Sequence, residues 1–168
     1  KYAIVEKTMK DYMNDTKNVM TELIDLFNNS ELDKALSSEN LTSDAPEFVQ
    51  TKEKLASLKT KLSEYSEKCD KLLTPENIEN AINDKGVGKY YKELYVNLMM
   101  DDETKENLEN ERTELKKSIE EVNKAVEGLE NIIDFLIENK DEWTVVDGKI
   151  QFKNITKYKE YYQIVNEL

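Results

Sequence analysis

The fold of this chain is decided by residues 108–136, which read LENERTELKKSIEEVNKAVEGLENIIDFL. Apolar side chains recur there in alternating steps of four and three residues, with the polar Arg112 at one position of the stripe. The apolar positions are Leu108, Leu115, Ile119, Val122, Val126, Leu129, Ile133 and Leu136. A seven-residue repeat held for about four heptads is typical of a long helix that buries one stripe against other helices. We predict that this helix ends near Asn139.

Two other segments carry the same spacing and predict two more long helices. The first covers residues 2–27, and Thr16 is its one polar interruption. Its apolar positions are Tyr2, Val5, Met9, Tyr12, Val19, Leu23 and Leu26. The second begins with Asp44 as a cap, because Pro46 suits a first turn and Glu47 completes a capping box. Its apolar positions are Phe48, Leu55, Leu58, Leu62, Tyr65, Cys69 and Leu72, with the polar Thr51 in the one gap.

Shorter elements connect these helices. Residues 31–43 are ambiguous and could form a short helical turn inside a longer connection. The Thr-Pro pair at 74–75 restarts a helix, and the glycine-containing segment 84–88 ends it. Residues 90–100 have helical spacing and are followed by acidic residues that could cap the long helix. The spacing leaves open whether the helix is broken or merely kinked at that point.

The period changes after Trp143, where TVVDGKIQF (residues 144–152) predicts a β-hairpin. Its Asp-Gly pair is the favoured two-residue type I′ turn, because both central positions require a positive φ. A lone hairpin is marginal in water, so we expect Trp143 or Phe152 to anchor it to the end of the bundle. A last helix starts at Asn154 or Thr156. Its predicted apolar side is Tyr158, Tyr161, Tyr162 and Val165.

Together these elements predict a mainly-α fold: an antiparallel bundle of three long helices plus shorter helices, with a small β-hairpin near the C-terminus. We expect residues 1–168 to form a single helical-bundle domain, with residues 143–168 as a hairpin-plus-helix appendage packed on it. Because strict heptads also dimerise, an intermolecular coiled coil is the alternative, and the chain is expected to be a monomer or a homodimer. Turn signals between the helices favour the intramolecular bundle.

The charge of the chain narrows the class of partner. The net charge is −12, and residues 101–142 hold 15 Asp or Glu against six Lys or Arg. Binding to nucleic acid or to an anionic membrane requires clustered basic residues, so neither is an expected partner. No apolar run is long enough to span a membrane. The acidic stretch is interpreted either as a docking face for a basic partner or as a solvated helix face.

The residues for common enzyme chemistry are scarce. The chain has no histidine, and its one cysteine, Cys69, occupies a predicted core position. The acidic run at 101–103 could coordinate a cation, but it lacks the order of a calcium-binding loop and equally complements a helix N-terminus. We therefore expect no enzyme activity, no cofactor and no metal site.

A protein partner is the remaining expectation, because tyrosine is enriched at interfaces. The predicted interaction surface consists of Tyr90, Tyr91, Tyr95, Asp101, Asp102 and Trp143. The chain opens on Lys1, so we expect a segment to precede it, and the excess of Lys over Arg with sixteen Asn suggests a bacterial source. The predicted function is a non-catalytic, extracytoplasmic and lipid-anchored bacterial surface protein that acts through protein–protein contacts. A cytoplasmic coiled-coil adaptor or assembly factor is the alternative.

Overall fold

The computed structural model describes residues 1–167 and shows a mainly-α fold with a small two-stranded hairpin near the C-terminus, as predicted. The helices within those residues are α1 (Tyr2–Asn28), α2 (Ser38–Ser43), α3 (Val49–Leu72), α4 (Pro75–Asn83), α5 (Lys89–Met99), α6 (Asp102–Glu138) and α7 (Ile155–Asn166). The strands are β1 (Trp143–Val146) and β2 (Lys149–Phe152). Two 3₁₀ turns cover Leu32–Lys34 and Lys140–Glu142.

Three helices, α4, α6 and α7, begin at a capping residue expected from the sequence. The hydroxyl of Thr74 accepts a hydrogen bond from the Asn77 backbone N–H (3.3 Å), with proline in the first turn of α4. The carboxylate of Asp101 accepts from the Thr104 N–H at 2.7 Å and caps α6. Met100 lies outside both helices, with φ −139° and ψ 43°, so the helix is broken between α5 and α6.

The predicted start of α3 is wrong by about one turn. The helix begins at Val49, and Pro46 lies in the preceding turn, after a cis peptide bond. Phe48 has a left-handed backbone (φ 48°) and is fully buried, with its ring 6.2 Å from that of Trp143. The turn that places this ring in the core displaces the helix start. Asp44 still serves the helix, because its carboxylate accepts from the backbone N–H groups of the first turn at 3.1 and 2.8 Å.

The contacts between residues divide the chain into two compact units. The single domain expected from the sequence stays a prediction. The first unit comprises residues 1–27 and 63–119. Its core residues are Val5, Tyr12, Ile78, Ile82, Val87, Tyr95 and Met100. The Tyr12 hydroxyl donates to the Leu72 carbonyl (2.7 Å), and the Tyr65 hydroxyl donates to Glu22 (3.0 Å), so α1 and α3 run antiparallel.

The polar position in the long stripe is occupied by an ion pair in the first unit. Arg112 Nε donates to the Asp70 carboxylate at 2.9 Å, and Lys116 Nζ lies 2.8 Å from the same oxygen. Hydrogen bonds from these two side chains lower the pKa of Asp70, with that from Lys116 contributing most. Arg112 therefore links α6 to α3 through an ion pair, whereas an apolar residue at this position could only make packing contacts.

The second unit comprises residues 28–62 and 120–168. Its buried apolar residues include Phe48, Leu55, Leu58, Leu62, Val126, Leu129, Ile132, Ile133, Leu136 and Trp143. Lys52 pairs with Asp134 (2.7 Å) and Lys59 with Glu130 (2.9 Å), which shows that α3 and α6 run antiparallel. The C-terminal half of the long apolar stripe is thus covered by residues of the same chain.

The hairpin forms as predicted and both proposed anchors are in contact with α6. Asp147 and Gly148 have φ 49° and 70°, which is the type I′ geometry. Trp143 Nε1 donates to the carbonyl of Leu136 at 2.7 Å, and the Phe152 ring lies 6.3 Å from that of Phe135. Gly148 is required for a second reason, because a Cβ there would come within 1.6 Å of the hydroxyl oxygen of a serine in α2.

The predicted apolar side of α7 is only partly correct. Tyr161 and Val165 are half-buried, but Tyr158 and Tyr162 are exposed and stack on each other with ring centroids 6.1 Å apart. The Tyr161 ring lies 5.1 Å from that of Phe152, so the hairpin determines which side of α7 faces inward.

We predict that Leu129→Ala lowers the free energy of unfolding by about 2–5 kcal/mol, because it leaves a cavity in the second unit. Leu129 is 7% exposed, and the matched control Leu98→Ala removes a side chain that is 54% exposed. Urea denaturation should show at most about 0.5 kcal/mol for the control. Sedimentation should show the same mass for both variants. A loss of mass in Leu129→Ala alone would mean that the stripe holds two chains together.

Candidate functional site

The six residues of the predicted interaction surface differ in exposure and are divided between the two units. Tyr90 is 61% exposed, Tyr91 is half-buried, and the two aspartates before α6 are exposed. Tyr95 is fully buried and Trp143 is 5% exposed, so both are core residues. Trp143 belongs to the second unit and the other five to the first. The prediction that Tyr95 belongs to an interaction surface is wrong, because α5 turns this position toward the core.

An exposed aromatic cluster does form in the first unit, and it includes a residue that was not predicted. Tyr2 and Tyr90 both meet Tyr91 edge-to-face, with ring centroids 5.1 and 5.2 Å from it. Tyr2 and Tyr90 are each 61% exposed. A hydrogen bond with Tyr90 is the main cause that raises the pKa of Tyr2. We call Tyr2, Tyr90 and Tyr91 the tyrosine cluster.

The acidic residues at the start of α6 cap the helix and place negative charge at its N-terminus. The Asp101 carboxylate accepts hydrogen bonds from the side chain and the backbone of Thr104, and these bonds lower the pKa of Asp101. Asp102 lies 3.9 Å from the ammonium of Lys105, one turn along the helix. Within residues 1–167, no group of three His, Cys, Asp or Glu side chains converges as a metal site would require. These carboxylates thus complement the helix N-terminus.

Two buried groups of potential chemical interest are held in their neutral forms. Burial is the main cause that raises the pKa of the Cys69 thiol, which is 4% exposed. Burial also raises the pKa of Tyr95 to about 12. The Tyr95 hydroxyl has no hydrogen-bond partner among the described residues. Burial therefore disfavours the ionised form of both groups.

A cleft of about 550 Å³ runs beside the hairpin in the second unit. On the hairpin it is lined by Trp143, Thr144 and Val145 together with the turn residues Asp147 and Gly148. The segment before α3 supplies Leu41, Thr42, Ala45 and Pro46, and Lys140 also lines it. Its volume lies within the usual range of ligand sites. The sequence analysis predicted Trp143 as a surface residue but did not predict the cleft. The residues at 41–46 that complete it lie about a hundred positions before Trp143 in the sequence, and no local pattern connects the two segments.

A second cleft in this unit has a volume of about 260 Å³ and a polar lining. Polar side chains beside it form hydrogen bonds with one another. The Asn40 side-chain amide donates to the Thr51 hydroxyl at 2.8 Å. The same hydroxyl donates to the Asp44 carboxylate at 2.7 Å. Burial opposes the ionisation of Asp44, but hydrogen bonds from Thr51 and Gln50 outweigh it and lower the pKa of Asp44. This network satisfies the polar groups around the start of α3, and we assign it a structural role.

Comparison of the chain with protein-family models, curated proteins and solved structures gave no match. Within residues 1–167, none of the helices has the length and apolar content needed to cross a membrane. The functional interpretation therefore depends on the chemistry of the two sites, the tyrosine cluster and the hairpin cleft.

We predict that Tyr95→Phe leaves the protein as stable as the original or raises its free energy of unfolding by up to about 1 kcal/mol. The substitution removes a buried hydroxyl that has no partner among residues 1–167, and such a group costs free energy. The matched change Tyr12→Phe removes the bond to the Leu72 carbonyl and should cost about 1 kcal/mol. Urea denaturation of both variants measures the difference. Equal destabilisation would show that Tyr95 has a partner after all.

Proposed function

We propose that this chain is a non-catalytic protein that acts through protein–protein contacts and that the tyrosine cluster is one contact surface. The observation that carries the proposal is the packing of Tyr2 and Tyr90 against Tyr91, which holds two exposed rings in fixed positions. Tyrosine rings supply a large apolar area together with a hydroxyl at low entropic cost, and they are enriched where interfaces are strongest.

The side chains available for catalysis support a non-catalytic role. The chain has no histidine, which is the most common general base. Its one thiol is buried, with a raised pKa, so it does not provide a thiolate nucleophile.

The composition supports a location outside the cytoplasm. A single buried cysteine suits an exported bacterial protein that does not depend on disulfides, and a net charge of −12 keeps such a protein soluble. We propose that the chain belongs to a lipid-anchored protein at the surface of a bacterium.

The location is tested by the gene that encodes residues 1–168. We expect it to encode, upstream of Lys1, an apolar segment followed by a lipidated cysteine, and we expect protease to reach the protein in intact cells. A start codon directly before Lys1, with the protein protected from protease, would contradict the lipid anchor. That result would instead fit the cytoplasmic adaptor.

The contact surface is tested by photo-cross-linking in the cells that produce the protein. A photoreactive phenylalanine analogue at position 90 should yield one defined cross-linked species. The same analogue at Met13, which is 61% exposed in the same unit, should yield none. Tyr2→Ser should abolish the cross-link from position 90, because Tyr2 helps to hold the neighbouring rings. Cross-linking of equal strength at both positions, or at neither, would contradict the proposal.

A further inference from the structure

Among residues 1–167, strand β1 pairs with β2 along one edge and with no strand along the other, which we call its free edge. Val146 and Lys149 flank the two-residue turn and therefore exchange backbone hydrogen bonds, and such bonded pairs alternate along an antiparallel ladder. The Lys153 N–H donates to the Glu142 carbonyl at 2.8 Å, which agrees with this alternation. The backbone N–H and C=O groups of Val145 consequently point away from β2, toward the free edge.

The hairpin cleft follows that free edge. Thr144 and Val145 both line it, although consecutive strand residues point to opposite faces of a sheet. No residue of β2 lines it. A space that touches both faces of β1 and avoids β2 lies along the edge opposite β2. The backbone N–H and C=O groups of Val145, which point away from β2, therefore border the cleft.

The remaining lining is suited to the side chains of an extended peptide. The half-buried Ala45 and Pro46 provide apolar surface beside the backbone groups, and the buried Leu41 and Trp143, 4% and 5% exposed, add little to it. A peptide strand on an exposed edge obtains affinity from main-chain hydrogen bonds and specificity from pockets for alternate side chains. The cleft offers both kinds of contact at one place.

The charge of the second unit selects a basic peptide. The unit contains 17 Asp and Glu against 11 Lys, and the exposed Asp147 lines the cleft itself. An acidic surface attracts a basic segment and repels an acidic one. Lys140, the one basic residue that lines the cleft, lies 3.4 Å from the carboxylate of Glu47, which partly neutralises it.

We propose that the hairpin cleft binds an extended, basic segment of a partner protein as a third strand on the free edge of β1. This inference rests on the proposed protein-binding function but assigns it a separate site, in the unit that does not carry the tyrosine cluster.

Trp143 makes the test direct, because it lines the cleft and is the one tryptophan in the chain. The whole chain is titrated with an eight-residue peptide of alternating valine and lysine, and Trp143 emission is followed. We expect a saturable change. The same peptide N-methylated at every residue cannot donate the strand hydrogen bonds from either edge and should bind roughly tenfold more weakly. A valine–glutamate peptide should bind more weakly still, and the charge preference should shrink as salt is added.

Two pairs of variants locate the binding site. Val145→Pro removes the free-edge N–H without removing a ladder bond and should weaken binding roughly tenfold, whereas Val145→Thr keeps the donor and should bind normally. Thr42→Lys places a positive charge on the cleft and should also weaken binding. Its control is Thr21→Lys, since both threonines are exposed and donate to the carbonyl four residues earlier. If Val145→Pro fails to fold, the comparison of Thr42→Lys with Thr21→Lys still tests the proposal.

The inference is overturned if Trp143 emission does not respond, if the N-methylated and unmodified peptides bind equally, or if the acidic peptide binds as well as the basic one. Equal binding by Thr42→Lys and Thr21→Lys would also overturn it. The result is separable from the proposed function. An intact cross-link at position 90 without a peptide response rejects the cleft alone, and a peptide response without the cross-link rejects the tyrosine cluster alone.

Discussion

Val126, Ile133 and Leu136 of α6 have no exposed surface, and the elements of the second unit are arranged around their burial. Each such side chain contributes about 1.5–3 kcal/mol when it is removed from water. The first part of α3 covers the stripe, and the carbonyl of Leu136 receives the indole N–H of Trp143. That bond joins the end of the long helix to the first residue of the hairpin. The hairpin in turn selects Tyr161 as the ring of α7 that packs inward.

The polar interruptions of the three apolar stripes have specific partners. Thr16 donates to the Tyr12 carbonyl at 3.0 Å within α1, and Thr51 donates to Asp44 at the start of α3. Arg112 donates to Asp70 across two helices. Thr51 is buried, so its polar group would be costly without a partner, whereas Thr16 and Arg112 are half-buried and can also reach water. Tyr95 is the contrasting case, with a buried hydroxyl that finds no partner among the described residues.

Both proposed sites arise where a regular element is left incomplete. In the first unit, Tyr91 packs between two rings whose outer faces remain in water. In the second unit, a two-stranded sheet leaves one edge of β1 without a neighbour, and the segment before α3 forms a cleft beside it. Exposed aromatic rings and an open strand edge are both means of recognising another protein. Neither requires a catalytic group, which agrees with the scarcity of such groups in this chain.

The sequence alone determined the presence of the three long helices, the caps of α4, α6 and α7 and the hairpin turn, because each depends on residues within a turn or two of one another. The type I′ turn at Asp147 follows from such local chemistry, and so do the mainly-α class and its C-terminal hairpin. The spacing leaves open whether the helix breaks before α6, and the structure places the break at Met100. Tertiary structure alone decided where α3 begins, since Phe48 had to reach the core beside Trp143. It also brought Tyr2 to Tyr91 and residues 41–46 to β1. Contacts across some ninety positions depend on how whole helices pack, and the periodicity of a single segment carries no record of that packing.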